Sequence, residues 1–198
     1  MNTRLLERAD FAVIAGWIRP GARILDLGCG DGTLLRYLAE QRGISGYGVE
    51  IEDDGVLACV KNGVNVIQSD LDQGLSGFAD GSFDYVILSQ TLQAVRNSDR
   101  VVREMLRVGR QGIVTFPNFG YWRNRLQILR GKMPVSDELP YQWYNTPNIH
   151  LCTTADFEEF CNRHGLRVLE RIVMTRGGAV SFLHNLLGSL AVYRFERA

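Results

Sequence analysis

Apolar residues recur at two different spacings along this 198-residue chain. Leu5, Leu6, Phe11, Ile14 and Ile18 fall near every third or fourth position and Pro20-Gly21 closes the run, which predicts a leading helix over 5–18. Short apolar runs of strand length then alternate with helix-period stretches. The pattern predicts strands over 23–27, 46–51 and 64–68, with helices over 31–42 and 54–62 between them. It resumes with a strand over 83–89, a helix over 98–108 that Ser98 would cap, and a strand over 112–116. Strands separated by helices of this length require right-handed crossovers, and therefore a parallel sheet.

Toward the carboxyl end the signals change. TTADFEEF announces a helix that Thr153 or Thr154 caps, with an acidic first turn suited to the helix dipole, and Gly165 ends it. Two last strands, near 166–174 and 190–196, are expected to pair in hairpin fashion across the segment holding Gly177, Gly178 and Gly188. Between Pro117 and Cys152 lie four of the five prolines, together with Phe119, Tyr121, Trp122, Tyr141, Trp143 and Tyr144. A plain crossover helix needs no such aromatic area, so 117–152 reads as an insertion over the sheet edge, before the last helix. The expected architecture is one α/β domain over 1–198, Rossmann-like: a mostly parallel seven-stranded sheet with helices on both faces.

Composition narrows the partners. Lys plus Arg and Asp plus Glu number 22 each, so no global field favours nucleic acid. No apolar run is long enough for a membrane span and the amino terminus lacks a signal-peptide apolar region, so a cytoplasmic protein is expected. Cys29, Cys59, Cys152 and Cys161 form no CxxC pair and read as reduced, mostly buried thiols. His150 and Cys152 alone make no metal site, and none is expected.

The most informative stretch for chemistry is ILDLGCGDGTLL, residues 24–35. In an open parallel sheet, ligands sit outside the carboxyl ends of the strands, beside the point where strand order reverses. Gly28, Gly30 and Gly32, with Cys29 among them, follow the first strand at that place. A dinucleotide fingerprint, GxGxxG, would put its third glycine at 33, where Thr33 stands. The GxGxG spacing, with Asp26 two residues ahead, suits a ligand with no pyrophosphate. S-adenosylmethionine is such a ligand, and Asp26 can face its ammonium. Glu50, at the end of the second strand and followed by Ile51, can accept from ribose hydroxyls, as it would for NAD. Asp70, in VIQSDL, is placed to accept from an adenine amino group, with the Leu71 amide beside it. Ser89 ends the fourth strand, where the methyl-bearing part of the ligand would lie.

The succession ILDLGCGDG, GYGVE, QSD and FDYVILSQ resembles the class I S-adenosylmethionine-dependent methyltransferases over about residues 20–116. Over the whole chain, LSQTLQAVRN, the run TFPNFGYWRNRLQILRGKMPVSDELPYQWYNTPNIHLCT and the terminal RGGAVSFLHNLLGSLAVYRFER resemble the MetW family of methionine biosynthesis proteins. That resemblance implies a methyltransferase-like fold, bound S-adenosylmethionine or S-adenosylhomocysteine, and association with a homoserine O-acetyltransferase or O-succinyltransferase whose activity the protein supports.

Methyl transfer from a sulfonium is an in-line displacement that needs positioning and, for a weak nucleophile, a base. Where many small-molecule methyltransferases of this fold carry Leu-x-His-Val, this chain has Leu92-Gln93-Ala94-Val95, and alanine cannot take a proton. An Asn/Asp-Pro-Pro-Tyr arrangement and a Pro-Cys nucleophile are absent too. Tyr121, Tyr144 and His150 in the insertion remain as candidate catalytic groups. Two readings follow: a binding and regulatory module, or a methyltransferase acting on a small acceptor such as a thiol or carboxylate. YWRNRLQILRGK reads as a basic amphipathic helix, serving either as a lid on the sheet or as a docking face with aromatic and arginine anchors. SFLHNLLGSL (181–190) is a second apolar candidate surface.

Overall fold

In the computed structural model residues 8–198 are described, so the start of the expected leading helix, 5–7, lies outside them. The helix α1 runs Ala9–Trp17. The alternation follows as β1 (Arg23–Leu27), α2 (Thr33–Arg42), β2 (Ser45–Glu50), α3 (Asp53–Lys61), β3 (Val66–Gln68) and β4 (Phe83–Ser89). Then come α4 (Ser98–Val108), β5 (Gly109–Pro117), α5 (Trp122–Leu129), α6 (Thr154–Arg163), β6 (Leu166–Thr175), β7 (Gly178–Ala179), α7 (His184–Leu187) and β8 (Leu190–Arg197).

The strands form one sheet in the order β3-β2-β1-β4-β5-β8-β6-β7. The first five are parallel, while β8 runs antiparallel between β5 and β6. Strand order reverses at β1, whose neighbours are β2 on one side and β4 on the other, so the loop after β1 opens into the crevice that such a sheet offers a ligand.

Both faces of the sheet are covered, which is why the central strands read as unbroken apolar runs. Ile24, Tyr85 and Ile87 pack under α1, α2 and α3 with Ile14, Leu35, Leu38 and Cys59. Leu25, Leu27, Val86 and Leu88 point the other way, to Val102, Met105, Phe157 and Cys161 of α4 and α6. Successive residues of one strand thus feed opposite cores, as the two-residue repeat of a strand demands.

Local chemistry sets the helix starts. Thr153 caps α6 in a reciprocal box: its hydroxyl accepts from the Asp156 amide at 3.2 Å and the Asp156 carboxylate accepts from the Thr153 amide at 3.0 Å. Ser98 does not cap α4. Asn97 holds that position, and the Ser98 hydroxyl donates back to the Leu92 carbonyl at 3.1 Å. The turn ahead of the helix is fixed instead by Asp72, whose carboxylate accepts from the amides of Arg96 and Asn97, both at 3.1 Å.

The sheet has eight strands where the sequence pattern predicts seven. The extra one is the two-residue β7: Gly177 and Gly178 let the chain double back so that Thr175 pairs with Gly178 and Met174 with Ala179. The insertion precedes α6, but the last helix is the single turn α7. The ends of the insertion are pinned at the carboxyl ends of the parallel strands. The Asn118 side-chain amide donates to the Gly188 and Asn185 carbonyls at 2.8 and 3.1 Å, and the Ile149 amide donates to Gln93 at 2.8 Å. Among the described residues no helix is long and apolar enough to cross a membrane.

Candidate ligand-binding site

The loop between β1 and α2 bends back over the end of β2. The amides of Gly28 and Cys29 both donate to the Val49 carbonyl, at 2.8 and 3.1 Å, which holds the loop against the neighbouring strand. Gly28, Gly30 and Gly32 all have positive φ, yet they differ in what surrounds them. A Cβ on Gly28 would lie 2.6 Å from the Thr91 side chain, and one on Gly32 would lie 3.0 Å from Cys59 and Val64. In front of Gly30 there is open space. Packing accounts for the outer two glycines, whereas at Gly30 the space is open to solvent.

Asp26 sits near the end of β1, 2% exposed, and its Oδ1 has no hydrogen-bond partner. Burial pushes its carboxyl up to about 7; Arg8 acts against that shift and Glu50 adds to it. A buried carboxylate oxygen left unpaired costs free energy that a cationic donor would recover. It is the feature of the loop that fits an ammonium-bearing ligand.

Glu50 is buried and already engaged. Its Oε2 accepts from the Gly30 amide at 2.8 Å, and its Oε1 accepts from the amides of Ile51 and Glu52 at 2.8 and 3.0 Å. A carboxylate offers about four lone-pair sites, and three are filled, so one ribose hydroxyl can be accepted without breaking a bond. Gly55 makes this approach possible, because a Cβ there would stand 2.7 Å from the Glu50 Cγ. Sequence reasoning missed Gly55; an isolated glycine inside the α3 pattern is the signal that could have pointed to it.

Asp70 opens a single 3-10 turn, Leu71–Gln73, by accepting from the Asp72 amide at 2.9 Å. The Leu71 amide takes no acceptor among the described residues. The Ile51 side chain is exposed beside Glu50. The Ser89 hydroxyl lies 3.2 Å from the Thr115 hydroxyl and accepts from Arg8 at 3.3 Å. Arg8, which no sequence pattern singled out, grips Asp10 through two bonds of 2.9 and 2.8 Å. Cys29 turns inward: its sulfur is 3.6 Å from that of Cys59, and burial pushes its thiol well above the ordinary range. Its contribution to the loop is through backbone.

The three candidate catalytic groups are not gathered at this loop. Tyr121 is the N-cap residue of α5 and lines a cavity with Arg123, Gln127 and Thr175. Tyr144 is 70% exposed and stands edge-on to Trp143. His150 lies 3.3 Å from the Arg96 carbonyl and lines an apolar cavity of about 420 Å³ between α4 and α6, floored by Leu92, Phe116 and Phe157. Sequence reasoning missed a different cavity, of about 530 Å³, over the ends of β4, β8 and β6, lined by Arg8, Asp10, Gln90, Glu138 and Arg176. Among the described residues no group of three or more His, Cys, Asp or Glu side chains is placed to hold a metal ion.

Comparison with known proteins sets this geometry in context. The family model described as methionine biosynthesis protein MetW matches residues 8–195. The bifunctional methionine biosynthesis protein MetXA/MetW of Rhodopirellula baltica is 39% identical over 165 residues, which cover 78% of this chain and 26% of that protein. The ubiquinone/menaquinone biosynthesis C-methyltransferase UbiE of Vibrio cholerae is 27% identical over 162 residues, covering 75% and 55%. The chain therefore spans about a quarter of the first relative's length and about half of the second's. The crystal structure of an S-adenosylmethionine-dependent methyltransferase from Archaeoglobus fulgidus superposes with a TM-score of 0.73 at 15% identity, covering 99% of this chain and 95% of that one. At that identity the likeness is one of fold.

Proposed function

The chain belongs to the MetW family of methionine biosynthesis proteins, and from that premise we propose that it binds S-adenosylmethionine or S-adenosylhomocysteine over the β1 loop and supports a homoserine O-acyltransferase. The observation that carries the ligand reading is the unpartnered Asp26 carboxylate oxygen, buried at the end of β1. Asp26 holds the ligand's ammonium. Gly30 leaves room for the methionine portion, Glu50 accepts one ribose hydroxyl, and Asp70 with the Leu71 amide meets the adenine edge. The ligand, when it is S-adenosylmethionine, supplies a methyl group on a sulfonium. Gly28, Cys29 and Gly32 hold the loop in shape, and Ser89 places the Arg8 guanidinium at the strand end.

The acyltransferase reading rests on the relative whose name joins MetXA and MetW in one chain. Tethering two modules raises their effective concentration, which is useful where the two act together. S-adenosylmethionine is made from methionine, so a protein that holds it beside an early enzyme of the pathway reports end-product level. Such coupling requires different affinity in the free and complexed forms and is reciprocal. The second reading, a methyltransferase on a small acceptor, is supported by the likeness to UbiE and by the cavity beside Arg8. Ala94, in place of a base, weighs against a weakly nucleophilic acceptor.

Calorimetry with both ligands tests the cradle: wild type binds and Gly30→Asp does not, and absence of binding by wild type sinks the ligand reading. Turnover of the co-purified acyltransferase, with and without this protein, tests the support role, which unchanged turnover removes. Radiolabelled methyl appearing in a small acceptor only when the protein is present would decide for the enzyme reading.

A further inference from the structure

The cavity over β4, β8 and β6 is walled by side chains of both charges drawn from three separate segments. Arg8 and Asp10, at the start of α1, satisfy one another through two hydrogen bonds of 2.9 and 2.8 Å. Arg176, just after β6, pairs with Asp137 of the insertion at 2.9 Å. Those two pairs cancel. Glu138 is left, half-buried, with neither an ion pair nor a hydrogen bond among the described residues.

Burial pushes the Glu138 carboxyl up, Asp10 adds to the shift, and Arg8 opposes it. A desolvated carboxylate facing a cavity without a partner is a place for a cation. The same walls hold unused cationic donors. Arg8 keeps its Nη1 free of partners among the described residues, and Arg176 uses one nitrogen only. Gln90 completes the wall. Its φ is +53°, a left-handed backbone held by the Gln90 amide donating to the Thr115 carbonyl at 2.9 Å, and its side-chain amide has no partner among the described residues. Non-glycine residues adopt that backbone at a cost, and such strain collects at ligand sites.

We infer that this cavity binds a small zwitterion of the α-amino acid class, its ammonium on Glu138 and its carboxylate on the free donors of Arg8 and Arg176. One negative group without an ion pair and two partly free guanidinium groups, all lining one space of about 530 Å³ and near enough for both arginines to act on Glu138, match a molecule carrying both charges on one carbon. A simple amine leaves the guanidinium donors unused, and a simple carboxylate leaves Glu138 unpaired. The cavity shares no lining residue with the β1 loop but adjoins it, since Arg8 bonds Ser89 and bears on Asp26. The occupant is read as a second ligand, and competition by S-adenosylhomocysteine would identify it instead with the amino-acid end of the first. This goes beyond the function proposed above and does not depend on it.

The test is calorimetry on the full chain with glycine, L-serine, L-methionine and L-lysine, and with propionate and n-butylamine as single-charge controls. At least one amino acid is expected to bind at millimolar concentration or below and more than tenfold tighter than either control. Glu138→Gln is expected to weaken it at least tenfold, and Arg176→Gln more modestly, while S-adenosylhomocysteine affinity stays at the wild-type level in both variants. Saturating S-adenosylhomocysteine should leave amino-acid binding in place. Absence of binding by all four amino acids, indifference to Glu138→Gln, or competition by S-adenosylhomocysteine would overturn the proposal. Only the last of these outcomes leaves the cradle reading strengthened, so the two readings fail separately.

Discussion

Over β1 and β2 the strand-end surface is made mostly by backbone: two loop amides on the Val49 carbonyl, the Gly30 amide on Glu50, and one buried carboxylate, Asp26. Over β8 and β6 it is made by side chains: Arg8, Gln90, Glu138 and Arg176, each from a different segment. The first region draws its shape from the parallel sheet itself, because the β1 loop is bonded to the end of β2 beside the point where strand order reverses and a crevice opens. The second has no such template, and its charges meet only because the insertion folds back over the sheet. In a backbone-built site most positions also serve the fold, so binding and stability separate only where space is open, as at Gly30; a side-chain-built site lets the two be changed separately throughout.

The sharpest way to break that contrast lies inside the glycine loop. Gly30→Asp fills open space at a backbone cost of about 1–2 kcal/mol for left-handed φ, so it should abolish S-adenosylhomocysteine binding while thermal unfolding shows a folded protein. Gly28→Ala drives a methyl into Thr91 and should lower the melting temperature further, because overpacking adds about 1–3 kcal/mol to the backbone strain. If Gly30→Asp proved the more damaging to folding, the division of labour between the glycines would be wrong.

Asp26→Asn comes next. The folded-state pKa of Asp26 lies at about 7, above its ordinary 3.8, so between those values the folded protein holds a proton that the unfolded chain has released. Stability of the unliganded protein should therefore fall as pH rises through that window, at up to about 1.4 kcal/mol per unit, and level off above it. Asp26→Asn should flatten the profile in denaturant titrations at pH 5 and pH 8, and should bind S-adenosylhomocysteine about tenfold or more weakly. In wild type, affinity should rise with pH up to about 7, since an ammonium ligand requires the ionised carboxylate.

The smallest effect is expected on the outer face of the insertion. Leu129 and Trp143 are 83% and 73% exposed. Leu129→Ser and Trp143→Ala should change stability by no more than about 0.5 kcal/mol and leave ligand binding alone. Co-purification of the acyltransferase with these variants tells whether the apolar face is a docking surface.

Much of the parallel half was legible before any coordinates. FDYVILS predicts β4 at its observed bounds, SDRVVREMLRV does the same for α4, and TTADFEEF, with Thr153 or Thr154 as its cap, announces the start of α6. Those signals are local, since a strand buried on both faces or a capping box is written in consecutive residues. Asp26, Glu50 and Asp70 could be picked out because strand ends in this topology fall at regular intervals. Glu138 could not. It lies in KMPVSDELP, a stretch without periodicity, and its surroundings are set by Arg8 and Arg176, residues far away along the chain. Burial of Cys29 is expected from the sequence; what stays hidden there is that its sulfur fills the space left by Gly48, where a Cβ would meet it at 2.3 Å.

By itself, then, the sequence determined an open, mostly parallel sheet with helices on both faces and a glycine loop after the first strand. These follow from spacing and from steric limits that act over a few residues. Tertiary structure alone decided that Gly30 is the glycine with room beside it, that Glu50 has one acceptor site left, that Asp26 is unpaired, and that Glu138 faces two arginines. Each of those depends on desolvation and on hydrogen-bond geometry between segments distant in sequence, which no local pattern encodes.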